Sequence, residues 1–243
     1  MLLFSHTLKR YIWVLPATFF TAAIVSLLWM PQPALLPFPM NGFVGALETV
    51  LPVLISLPLS FIVYDKSSIE LALVHGLDTL HLFFTHLLSA LFWIQLSLGA
   101  VVLCYRTAPL TEDQLAQMTI PPLLPDTLRL HMFLSVAVSV LFFASLVFFL
   151  RVALRNCYVP MVGVLLTFTL FYERSRSLRM RGLGALRGAL FDPYISSYIL
   201  GDALPQQYGF GSLWSANRLL FFDLSLVLLF AAALILRHEK MHE

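Results

Sequence analysis

The sequence predicts an all-α integral membrane protein with six transmembrane helices, and three observations carry that prediction. First, 59% of the 243 residues are hydrophobic and only 12% are charged, against about 25% charged in a soluble domain. Second, charges are absent from three long stretches: Tyr11–Leu47, Thr79–Tyr105 and Leu130–Leu150. Third, each of these stretches meets or exceeds the ~20 apolar residues that a membrane-spanning helix requires. Mean hydropathy is +0.86. Such a composition excludes a soluble enzyme, a disordered chain and a nucleic-acid binder. It also excludes a β-barrel, whose strands would alternate polar and apolar residues. Six spans use about half the chain, leaving no room for a separate soluble domain. Residues 1–243 therefore read as a single transmembrane domain.

Span 1 covers 11–30. Lys9 and Arg10 precede it, and Trp13 and Trp29 lie near its ends. It is longer than the ~7–15-residue apolar region of a signal peptide, so a retained span is expected. Pro31-Gln32-Pro33 and Pro37-Phe38-Pro39 then break the helix. Span 2 covers 43–64 and contains Pro52 and Pro58, where kinks are expected. Span 3 covers 82–104. A polar connection follows, in which Thr111 and Gln114 have capping-box spacing. Span 4 covers 131–150, and Arg151 and Arg155 flank a tight turn after it. Span 5 covers 157–172 and is the shortest. A basic, glycine-bearing stretch with Arg174, Arg176, Arg179, Arg181 and Arg187 leads from there to span 6, at 219–236.

Basic residues near span ends set orientation. With a cytoplasmic N-terminus, the inner segments hold Lys9, Arg10, Lys66, Arg151, Arg155, Arg237 and Lys240. The outer segments hold Arg106, Arg129, Arg218 and the five clustered arginines. Without the cluster the bias favours both termini in the cytoplasm of a multi-pass cell-membrane protein. The cluster leaves a second topology open, in which span 5 is a re-entrant hairpin and the chain crosses five times. The Asn217-Arg218 lead-in to span 6 and the basic end after it favour six crossings.

Chemistry-bearing motifs are scarce. None of the three lysines follows a glycine, so there is no P-loop to bind nucleotide. There is no zinc-protease helix and no Gly-x-Ser-x-Gly elbow. His75, His81 and His86 do not share a helix face and read as interfacial histidines at the start of span 3 rather than as metal ligands. Cys104 and Cys157 read as small buried hydrophobes. No catalytic, cofactor-binding or metal-binding residue is expected.

Two acids lie within spans. Glu48 and Asp223 fall within one or two turns of a span end on the same side of the membrane. A solvated or snorkelling position is one reading. The other is that they line a substrate route or pair with an arginine such as Arg218.

The connection between spans 2 and 3 is the most specific local signal. Ser67 and Glu70 form a capping box. Ile69, Ala72, Leu73, Leu77 and Leu80 recur at helical spacing, and Gly76 can end the first short helix. A short amphipathic helix over about 68–75 is expected along the cytoplasmic interface.

Here the chain resembles a known family. Asp65-Lys66-Ser67-Ser68-Ile69-Glu70-Leu71-Ala72-Leu73 is similar to the segment after the second span of type-2 ATP-binding-cassette (ABC) transporter permeases. That segment commonly reads acidic-basic, then Gly-Thr-x-Glu-Leu-Leu-Leu, then Pro. Ser67 and Ser68 stand in place of Gly-Thr, and Gly76-Leu77 in place of the proline region. The length, the six spans, the missing nucleotide motif and the Asn217-Arg218 opening of the last span are similar as well. The resemblance implies a permease subunit of an exporter for a peptide, lipid or other amphiphile. A separate cytoplasmic ABC ATPase would bind the ATP, and a second copy or a related permease would complete the pair within the lipid. The short helix after span 2 would be the coupling helix, with Asp65, Lys66, Ser68 and Glu70 as its ATPase contacts and Arg10 as a further one. Glu48 and Asp223 would be candidates for the substrate route. The alternatives are a non-transporting assembly or scaffold subunit and an intramembrane lipid-modifying enzyme.

Overall fold

In the computed structural model the described residues are 7–29, 39–63, 74, 76, 78–104, 125–179 and 210–240. They form six α-helices and, among themselves, no strand. We label the helices α1 (Val14–Trp29), α2 (Pro39–Ile62), α3 (Thr79–Cys104), α4 (Pro125–Leu154), α5 (Tyr158–Arg179) and α6 (Phe210–Lys240). Four stretches are long and apolar enough to cross a membrane: Thr7–Val25, Leu80–Leu103, Phe133–Leu154 and Ser215–His238. The protein is therefore a multi-pass helical membrane protein. Shorter apolar helical runs cover Leu47–Ile62 and Tyr158–Leu170.

Several boundaries differ from the sequence expectation. Helices α2 and α4 begin earlier, at Pro39 and Pro125. Proline suits the first helical position because its missing N–H would have no partner there. Helix α5 does not stop at Tyr172 but continues unbroken to Arg179, so Arg174, Arg176 and Arg179 are helical. Loss of hydrophobicity ends an apolar run without ending a helix, because arginine and glutamate are good helix formers.

Side-chain contacts give the helix directions. Tyr11 meets His86 and Thr18 meets Ser97, so the first helix and α3 run the same way. Glu48 meets Ser139 and Arg151 meets the Val63 carbonyl, so α2 and α4 are parallel. Arg218 meets Ser135, and Phe221 meets Phe142, so α6 runs with them. Phe83, near the start of α3, stacks on Phe148, near the end of α4. Tyr158, at the start of α5, stacks on Phe61, near the end of α2. The chain thus reverses at each successive helix. One end of the bundle collects Lys9, Arg10, Arg151, Arg155 and Arg237, and we call it the basic end.

Helix α4 is the hub, packing on α2, α3, α5 and α6. It turns Val136, Val140, Phe143, Ala144, Val147 and Phe148 into the core. Buried Ser60, Thr85, Ser97 and Ser225 donate to the carbonyl four residues earlier, which satisfies hydroxyls that could find no water in a bilayer. The turn from α4 to α5 is tight, as the flanking arginines suggested. Arg155 caps α4 in a left-handed conformation, φ 51°, and its N–H bonds to the Arg151 carbonyl. The Asn156 side chain then accepts the Tyr158 N–H to start α5.

Two other expectations change. His86 is not on the surface of the bundle. It is buried and its Nδ1 lies 2.7 Å from the Tyr11 hydroxyl, which ties the N-terminal turn to α3. Trp93 adds a bond from its indole N–H to the Leu8 carbonyl. Cys157 is half-exposed in the tight turn rather than buried. The stretch around Thr111 and most of the 68–75 helix lie outside the described residues. Of the latter, Val74 is helical and exposed, and Gly76 follows with φ 63°.

Candidate functional site, a buried ion pair joining three helices

Glu48 sits on the face of α2 that carries Leu47, Leu51, Ile55 and Leu59 into the core. On α4, Ser135 and Ser139 are one turn apart and share a face. On α6, Asn217, Arg218, Phe221 and Ser225 point inward. Packing of these three faces brings Arg218 Nη1 to 2.8 Å from Glu48 Oε1. Glu48 is fully buried and Arg218 is 5% exposed.

The hydrogen bonds are well distributed. Arg218 Nη1 also donates to the Ser135 carbonyl at 2.7 Å and to Ser139 Oγ at 3.0 Å. Arg218 Nε and Nη2 both donate to Asn217 Oδ1. Ser139 Oγ in turn donates to Glu48 Oε1 at 3.3 Å. A guanidinium needs many acceptors when it leaves water. Here a carboxylate, an amide, a hydroxyl and a backbone carbonyl supply them.

The depth of the pair follows from the helices. Ser139 lies twelve residues before Arg151 on α4, which is ~18 Å along the axis toward the far end of the bundle. Ser139 and Arg218 lie within Phe133–Leu154 and Ser215–His238, two of the stretches long and apolar enough to cross a membrane, so the pair lies within the span region of the bundle. Glu48 is therefore not at a solvated or snorkelling position. Its burial under α4 and α6 could not be read from its distance to a span end.

Asp223 is treated differently. It follows Arg218 by five residues, so it is rotated ~140° around α6, and it is exposed on the outer surface of the bundle. Glu48 and Asp223 thus lie on opposite sides of α6. Asp65, Lys66, Ser68 and Glu70 lie outside the described residues. Arg10 is half-exposed at the basic end.

Sequence reasoning named Arg218 as a possible partner for either acid but did not identify Ser135, Ser139 or Asn217. Opposite charges in two apolar runs were the available signal. Serines are common in membrane helices and carried none. Among the described residues, no group of histidine, cysteine or acidic side chains could hold a metal ion.

The arrangement defines a class: a multi-pass helical membrane protein whose α2, α4 and α6 are locked by an intramembrane ion pair. No family model, curated protein or solved structure matches the chain.

Proposed function

We propose that this chain is the membrane-spanning permease subunit of an ABC transporter that exports a peptide, lipid or other amphiphile, driven by a separate cytoplasmic ATPase. The observation that carries the reading is the Asp65–Leu73 segment with its capping box, directly after α2. In this reading all six helices cross the membrane, and α2 and α5 complete the set begun by the four longer apolar stretches. Their lengths, 24 and 22 residues, support this. The alternating helix directions support it too. The basic end is taken as cytoplasmic on the flanking residues Lys9, Arg10, Arg151, Arg155 and Arg237, with the Arg174–Arg187 cluster left outside, so both termini are cytoplasmic in this reading.

Val63, the last described residue before the coupling segment, is held at the basic end by Arg151, whose Nε donates to its carbonyl at 2.9 Å. A push on the coupling segment would reach α2 first and α4 through this bond. The Glu48–Arg218 pair would carry it on to α6. ATP binding to the partner shifts the permease between states only by its differential affinity for them. Asp65, Lys66, Ser68 and Glu70 are the proposed ATPase contacts, and a second copy or a related permease completes the transporter.

The test is isolation of the tagged chain in mild detergent, beside the variant Glu70→Lys. The expected result is a co-purifying P-loop ATPase with the wild type and its loss with the variant. Absence of any ATPase from well-folded wild-type protein would overturn the reading.

A further inference from the structure

The hydrogen bonds between helices gather the bundle into two sets. On α3, His86, Trp93 and Ser97 share one face, because steps of seven and eleven residues return a helix to within ~20° of its starting direction. Tyr11 and Thr18, also seven apart, meet that face. The Tyr11 hydroxyl lies 2.7 Å from His86 Nδ1, and the Trp93 indole N–H donates to the Leu8 carbonyl at 2.7 Å. The Thr18 and Ser97 hydroxyls meet at 3.2 Å. These bonds are spread over ~16 Å of the α3 axis. They fasten the N-terminal turn and α1 to α3 along most of α1.

The second set is built on α4. Arg218 of α6 donates to Glu48 of α2 and to the Ser135 carbonyl and Ser139 hydroxyl of α4. Arg151 of α4 donates to the Val63 carbonyl after the end of α2. Helices α2 and α4 are thus pinned at two well-separated levels. Helix α5 belongs with them, packing on both, with Tyr158 edge-on to Phe61.

Where the sets meet, α1 rests on α2, and α3 rests on α4 and α6. The ring contact across this seam is Phe83 of α3 edge-on to Phe148 of α4, at 5.6 Å between centroids. Both rings are fully buried. Bonds and rings respond differently to displacement. A hydrogen bond broken in hydrocarbon leaves polar groups with no water to take them. Apolar side chains that part lose little, because acyl chains are as apolar as they are. Packed helices therefore shear along apolar seams and move together where they are bonded.

We propose that the chain is a two-part device, in which the N-terminal turn, α1 and α3 move as one unit against α2, α4, α5 and α6, along the seam marked by Phe83 and Phe148. The inference rests on the bundle alone and needs no ATPase. In the transporter reading it gains a consequence. The segment Asp65–Leu73 lies between α2 of one unit and α3 of the other, so a push on it acts between the units.

The test measures distance distributions between pairs of spin labels on the full chain in lipid nanodiscs, with Cys104 and Cys157 changed to serine. Labels replace exposed residues: Phe20 of α1, Leu96 of α3, Leu54 of α2 and Val227 of α6. The pairs 20–96 and 54–227 lie within units and should give single narrow distributions. The pairs 20–54 and 96–227 lie across the seam and should be roughly twice as wide or split in two. Adding Tyr11→Phe and Thr18→Val should widen the 20–96 distribution and leave 54–227 unchanged. Cross-seam distributions as narrow as those within units would overturn the proposal. So would a 20–96 or 54–227 distribution as wide as the cross-seam ones, or a 20–96 distribution that ignores loss of the two bonds.

Discussion

Glu48 and Arg218 stand 170 residues apart in sequence and 2.8 Å apart in space. Their bond is the point where α2, α4 and α6 are held to one another inside the membrane. Two charges buried this way cost desolvation energy that their attraction and the surrounding hydrogen bonds must offset. The pair is consequently more informative about specificity of packing than about net stability.

Removing one charge should do more harm than removing both. Arg218→Gln or Glu48→Gln leaves the other ion buried, at a cost of about 3–5 kcal/mol. The double change Glu48→Leu, Arg218→Met should recover much of this. Thermal unfolding in detergent reads the comparison. A double variant that is the sum of the singles would contradict direct coupling.

Ser139 should matter less than either charge. Ser139→Ala removes one acceptor from Arg218 and one donor to Glu48, but the ion pair and the Ser135 carbonyl bond remain. We expect a loss of ~0.5–1.5 kcal/mol on the same melting assay. A loss as large as that of Glu48→Gln would mean that Ser139 positions the pair.

Tyr11 and His86 dock the N-terminal turn against α3. Tyr11→Phe keeps the ring contact with the imidazole and deletes the 2.7 Å bond. Interhelical hydrogen bonds in membranes average ~0.6 kcal/mol, so a small drop in melting temperature is expected. Tyr11→Ala also empties a fully buried site and should cost ~3–5 kcal/mol. Near-equal effects of the two would deny that ring packing dominates this contact.

Gly163 lets α5 approach α4. A Cβ there would meet Leu150 Cδ1 at 2.6 Å, the far end of a flexible side chain. Gly163→Ala should be mild because Leu150 can move. Gly163→Leu should cost ~1–3 kcal/mol by overpacking. Leu150→Ala added to Gly163→Leu should restore part of it, and absence of any rescue in the melting curve would count against this contact.

Much of the class was legible in the chain. The charge-free stretches announce membrane helices because hydration of a charge inside hydrocarbon is lost whatever the neighbours are. The proline at 39 announces a helix start because its ring fixes the local backbone and it lacks an N–H. The ends of α2, α4 and α5 were less legible, since a helix continues beyond its apolar part wherever good helix formers follow.

The site was a different matter. Hydropathy says that Glu48, Arg218 and Asp223 lie in or beside apolar runs, but not how each helix is turned about its axis. That rotation is set by packing against neighbours distant in sequence. It sends Glu48 and Arg218 inward to Ser139 and leaves Asp223 outside, although two of the three share one helix and all three occupy similar depths. The bilayer sets the composition of each span locally, whereas the orientation of its polar residues is a property of the assembled bundle.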